Sequence, residues 1–97
     1  MKRYRVEIIS NQSVEEDIVE ILEDNIPGLE YTILPTVHGK GLNSKKLGTS
    51  TWPEQNFLLF CYVEKETALK IKEFIDRIKE KFPREGISFF CVKEAEL

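Results

Sequence analysis

Histidine is nearly absent from this chain: His38 is the only one among 97 residues. General acid–base work at neutral pH would therefore fall to carboxylates with shifted pKa values, and no nucleophile stands next to a base. Cysteine is scarce too. Cys61 and Cys91 have neither CxxC nor Cys/His ligand spacing, so they are expected as small core residues in a reducing setting, with no metal bound. No run reaches the roughly 18 apolar residues of a membrane span. The first ten residues, MKRYRVEIIS, start basic, but their apolar stretch is too short for a signal peptide. A cytoplasmic location is the expectation. Excess positive charge is also missing: 14 Lys+Arg against 17 Asp+Glu leave −3, which argues against nucleic-acid binding through bulk charge. With no linker, low-complexity segment or visible repeat, the length suits one domain over residues 1–97, near the size at which oligomerisation adds stability.

What is present is well patterned. Tyr4, Val6 and Ile8 alternate with Arg3, Arg5 and Glu7, the period of a strand with one buried face. Ser13-Val14-Glu15-Glu16 matches a capping box, and Val14, Ile18, Ile21 and Leu22 follow at helical spacing until Pro27-Gly28. LEYTILPTV, Leu29 to Val37, reads as a strand, and Pro35 suits an edge position. FLLFCYV, Phe57 to Val63, is apolar throughout and too short for a buried helix, as in a strand covered on both faces. Thr67 can cap a helix whose Ala68, Ile71, Phe74, Ile75, Ile78 and Phe82 form one stripe. Glu66/Lys70 and Glu73/Arg77 are i,i+4 pairs on its polar side, each contributing about 0.3–0.5 kcal/mol. Pro83 ends the helix and ISFFCV, Ile87 to Val92, is the last strand. The order strand, helix, strand, strand, helix, strand predicts an α+β ferredoxin-like βαββαβ fold, a four-stranded antiparallel sheet with two helices on one face.

Such a fold protects only one face of its sheet. Yet Leu58, Phe60 and Tyr62 oppose Phe57, Leu59, Cys61 and Val63, and both sets are apolar, as are both faces of Phe89 to Val92. At roughly 25 cal/mol per Å2, leaving them wet forgoes a few kcal/mol. A partner sheet from another copy of the chain is the simplest cover. The first strand complicates this, because Arg5 and Glu7 fall on the same second face; pairing with each other and meeting water at a subunit interface both remain open.

Between Val37 and Phe57 runs a connection of nineteen residues, His38 to Asn56. Hairpin loops hold about 2–5 residues, and structureless loops beyond about 12–15 are uncommon unless functional or disordered. Lys40, Lys45 and Lys46 lie here with no acid before Glu54, so residues 38–53 carry +3 and the rest of the chain −6. Gly39 and Gly41 bracket Lys40, where positive φ and bare N–H groups suit an anion such as phosphate. The context of a Walker loop is missing. Anion or nucleotide binding and a solvated loop that meets a protein partner stand side by side. Trp52-Pro53 adds a rigid apolar point that either faces a partner or closes the base of the hairpin.

The element order, VHGKG opening a long polar loop, the return TWPEQNFLLFCYVE and FPREGISFFCV together resemble the PII-like branch of the PII nitrogen-regulatory superfamily over nearly the whole chain. That resemblance implies a non-enzymatic signal-transduction regulator, a trimer of ferredoxin-like subunits. It implies adenine nucleotides or other small effectors in clefts between subunits, and a mobile T-loop, here 38–56, that docks on a transporter, enzyme or regulator. Carried over by position, Gly39 and Gly41 open the loop and Pro83 to Gly86 stands where the family has its second nucleotide-contacting loop. The effector-binding candidates are thus Gly39, Lys40, Gly41, Lys45, Lys46, Arg84 and Gly86, and the docking candidates are Leu42, Asn43, Leu47 and Trp52. Three departures stand out: Leu42-Asn43 replaces an Arg-Gln pair, FPREG replaces a longer glycine-rich loop, and no basic C-terminal loop follows. The long loop also has no tyrosine to accept a uridylyl group.

Two other classes share this topology. A divalent-metal-binding trimer resembling the cation-tolerance proteins would need ligands around His38. An enzyme like the acylphosphatases would need an anion-cradling arginine loop that Ser10-Asn11-Gln12-Ser13 does not supply.

Overall fold

The computed structural model describes residues 3–40, 45–46 and 55–97. Strand β1 (Tyr4–Asn11) leads through a 3-10 turn (Gln12–Val14) into helix α1 (Glu15–Asn25) and strand β2 (Thr32–Val37). Two short strands, β3 (Gly39–Lys40) and β4 (Lys45–Lys46), precede β5 (Asn56–Val63), α2 (Lys65–Lys81) and β6 (Ser88–Lys93). The main sheet runs β2-β5-β1-β6, every neighbouring pair antiparallel. Each helix thus links two parallel strands that hold a third between them, which is the ferredoxin-like fold expected from the element order.

Alternation in the strands meets the helical stripes on one side of the sheet. Val6 and Ile8 of β1, Phe57, Leu59 and Cys61 of β5, Val14, Ile18 and Leu22 beneath α1, and Ala68, Ile71, Ile75 and Ile78 of α2 are all buried. Each large apolar side chain there contributes about 1.5–3 kcal/mol. Phe74 and Phe82 close the edges of the α2 stripe and Ile21 that of α1.

Local details differ from the sequence pattern. No capping box forms at Ser13: Asn11 caps the 3-10 turn through its side chain, which accepts from the Ser13 N–H at 3.0 Å, and α1 begins at Glu15 behind Val14. Thr67 lies inside α2, whose N-cap position is Glu64. Neither α-helix has a side-chain hydrogen bond at its N-cap. Glu15, Glu16 and Asp17 fill the first turn of α1 and Lys79 and Lys81 the last of α2, both favourable to the helix dipole. Arg77 donates to Glu73 at 2.7 Å as the spacing predicts, but the second i,i+4 pair is Lys72–Asp76 at 2.8 Å, and none joins Glu66 to Lys70 among the described residues. Strand β2 starts at Thr32, three residues later than expected, and its register with β5 shifts between Leu34 and Val37, around Pro35 on an edge strand. Cys61 is buried, whereas Cys91 is exposed, because β6 is the other edge and its residues from Phe90 onward escape the helix layer.

Candidate functional site

The long connection is held at its base. Val37 pairs with Asn56, and the backbone N–H of Gln12 donates to the Gln55 carbonyl at 3.0 Å. The Gln12 side-chain amide reaches the other leg, donating to the Pro35 carbonyl and to the Thr36 hydroxyl, the latter at 3.2 Å. One residue after β1 therefore grips both legs of the loop. No sequence period marks Gln12, since its partners are more than twenty positions away.

Above this base the loop forms a ribbon, with β3 antiparallel to β4, Gly39 opposite Lys46 and Lys40 opposite Lys45. Like charges directly opposed in an antiparallel pair destabilise it. Gly39 has no positive φ; Gly28 alone does among the described residues, at φ 76. The expected left-handed turn at Gly39 is thus replaced by extended backbone, and a Cβ there would stand 3.4 Å from Asn56 Nδ2. Gly41, Leu42, Asn43, Leu47 and Trp52 lie outside the described residues.

Arg84 and Gly86 are exposed in the turn between α2 and β6, where the Glu85 N–H donates to the Phe82 carbonyl at 3.1 Å. A Cβ on Gly86 would meet nothing within 4 Å. This turn and the β3–β4 ribbon lie at the same end of the sheet, since Ser88 aligns with Ile9 and Asn56 with Asn11. They rise, however, from opposite edges, β6 and β2. Three strand spacings separate those edges, about 14 Å. Within one copy Lys40 and Arg84 therefore stand at opposite edges of the sheet.

A second concave region lies at the opposite end of the sheet, outside the candidates read from the sequence. A cavity of about 300 Å3 is lined by Arg3, Ile26 to Glu30, Tyr62 to Glu64 and Thr67. A neighbouring hollow of about the same volume shares Arg3, Glu30 and Tyr62 with it. The Gly28 turn shapes this corner, and Tyr31 beside it donates to Glu23, an interaction that raises the Tyr31 pKa. Pro27-Gly28 was legible only as the end of a helix, because a cavity depends on what packs opposite.

On the sheet face away from the helices, Leu34, Tyr62, Phe90 and Val92 are each about half exposed. Arg5 and Glu7 share this face and pair with each other, Arg5 Nε donating to Glu7 Oε2 at 2.5 Å. The same guanidinium donates to the Tyr62 hydroxyl and lies 4.3 Å from the Phe60 ring centroid. The Glu7 bond raises the Arg5 pKa most, burial opposes it, and the Tyr62 bond adds a smaller upward effect. His38 is exposed at the loop end of the sheet, and no group of three His, Cys, Asp or Glu side chains gathers among the described residues. No described helix is long and apolar enough to cross a membrane.

No family model and no curated protein matches the chain. Solved structures do. A PII-like signalling protein from Thermus thermophilus is similar with 24% identity and a TM-score of 0.69, over 97% of this chain and 88% of that one. CPII, a nitrogen regulatory PII-like protein from Thiomonas intermedia bound to ADP, AMP and bicarbonate, is similar with 18% identity and a TM-score of 0.71, over 97% and 93%. Its apo form matches with 15% identity and a TM-score of 0.64, over 100% and 96%. The chain therefore has the fold of PII-like signalling proteins over its whole length.

Proposed function

We propose that this chain is a PII-like signal-transduction regulator, a non-enzymatic cytoplasmic protein whose single domain, residues 1–97, assembles as a homotrimer. Its effector is a small anion, an adenine nucleotide in the first instance, bound in clefts where the β2 edge of one copy meets the β6 edge of the next. Gly39, Lys40, Gly41, Lys45 and Lys46 supply one wall and Arg84 and Gly86 the other. The loop 38–56 then docks on a protein partner, a transporter, enzyme or regulator, through Leu42, Asn43, Leu47 and Trp52; neither nucleic acid nor a membrane is its target.

The observation that carries this reading is the opposition of Lys40 and Lys45 across a two-stranded ribbon at the mouth of the loop. A register that sets lysine opposite lysine gathers positive charge at the loop mouth, which suits an anion. Ordering a loop costs about 1–2 kcal/mol per fixed residue, so a ligand making several charged contacts is what would hold it in one shape. The similarity of fold to CPII bound to ADP, AMP and bicarbonate supports the nucleotide class.

Calorimetric titration with ATP, ADP and AMP, with and without bicarbonate, tests it. Binding by the wild type and a roughly tenfold or greater loss in Lys40→Ala and in Arg84→Ala are expected. A wild type that binds none of them removes the nucleotide; binding untouched by both substitutions removes the site.

A further inference from the structure

The open face of the sheet is apolar around its rim and charged at its centre. Strand β1 lies between β5 and β6, so Arg5 and Glu7 stand among Phe60, Tyr62, Phe90 and Val92 and not beside them. The arrangement is only half satisfied. A guanidinium has five N–H donors. Glu7 takes the Nε proton, the Tyr62 hydroxyl takes one from a terminal nitrogen, and the flat face of the group lies over Phe60. The other donors have no hydrogen-bond partner among the described residues, and both side chains remain about 30% exposed, 32% for Arg5 and 29% for Glu7.

Covering this face with a purely apolar surface would strip water from those donors and from the lone pairs of Glu7, at a cost that one ion pair repays poorly. Leaving it uncovered keeps four large apolar side chains about half exposed. A suitable occupant therefore brings apolar area at its rim together with an acceptor and a donor at its centre. The same face of an identical chain has both, with Arg5 and Glu7 two residues apart on one strand, roughly 7 Å.

We infer that copies of this chain join through their open faces with Arg5 of one copy donating to Glu7 of the partner subunit, and that this charge pairing sets the register of the assembly. The inference rests on the self-association proposed above and names the residues that select a second copy over an unrelated apolar surface. In a closed ring each copy offers its arginine forward and its glutamate back, so every charge at the centre gains a second partner. The flanking aromatics exclude water from the pairs, as at the centre of other interfaces.

Native mass spectrometry across a dilution series tests the pairing, with circular dichroism to verify that each variant is folded. The wild type is expected as an oligomer, and Arg5→Glu and Glu7→Arg alone should each raise the concentration of half-dissociation at least tenfold. The double variant should return to within a few-fold of wild type. An equimolar mixture of the two single variants decides between pairing within a copy and between copies. Each copy then has like charges at both positions, so only contacts between copies recover attraction, and species containing both variants are expected. Single variants that assemble as well as the wild type, or a mixture that stays dissociated, overturn the pairing and leave self-association standing. A wild type that is monomeric at every concentration overturns both, and a membrane or a different protein then becomes the occupant of the face.

Discussion

The two faces of the main sheet are built from the same strands, often from adjacent residues, and end in opposite states. Leu59 is fully buried under the helices, while Leu58 beside it is only partly buried; Cys61 is buried and Tyr62 next to it is 48% exposed. Composition does not separate them, since both sides of β5 are apolar. What differs is the cover. The chain has enough helix for one face only, and on the other it lays Arg5 over Phe60 and leaves Leu34, Tyr62, Phe90 and Val92 about half exposed. Apolar patterning thus reports demand for burial, and one chain need not meet all of it.

The contrast between the faces is tested most severely by altering one large residue on each side. Phe57→Ala on the covered face should cost about 3–5 kcal/mol in urea unfolding, whatever the protein concentration. Phe90→Asp on the open face should leave the monomer folded and weaken self-association about a hundredfold in a dilution series. If Phe90→Asp unfolds the isolated chain, the open face is part of the core and the contrast fails. At the corner cavity, Gly28→Val should lose about 1–2 kcal/mol by forcing a side chain into φ 76, with little effect on assembly.

The cysteines divide in the same way. Burial, with a smaller effect of the nearby Cys91, pushes the Cys61 thiol up to about 11 from an ordinary 9.0. The folded chain therefore keeps a proton that the unfolded chain gives up, and this contribution to stability is complete below pH 9 and lost as the pH rises through 11. Comparing urea midpoints of the wild type and Cys61→Ala at pH 8 and pH 10 should show a steeper fall in the wild type. Alkylation at pH 8 should mark exposed Cys91 well before Cys61; equal rates would contradict the burial difference. The smallest effect belongs to the outer helix surface, where Arg77→Ala, breaking the exposed pair with Glu73, should cost only about 0.3–0.5 kcal/mol in thermal unfolding.

Much of the fold was legible in the sequence because its periods are local. The alternation in β1, the stripe of α2, the two-sided β5 and the edge position of Pro35 each follow from a short window of residues. The candidate site was less legible. Lys40, Lys45 and Lys46 were visible as a positive segment, but that Lys40 faces Lys45 is a matter of register, and that Gln12 ties both legs of the loop is a contact across more than twenty residues. Arg84 and Gly86 were grouped with Gly39 on resemblance, yet only the strand order shows them on opposite edges of one copy.

Local patterning dictates which segments become strands and helices, which face of each is apolar, and that the connection from 38 to 56 is both long and positively charged. These are properties of neighbours along the chain, where side-chain spacing and backbone sterics act directly. Three-dimensional assembly of the elements settles the rest: the pairing register of the ribbon, where Arg5 rests, which cysteine stays exposed, and that Lys40 and Arg84 stand at opposite edges of the sheet. Those outcomes depend on strand order and pairing register, and they arise only when residues far apart in the chain compete for the same helix-covered face.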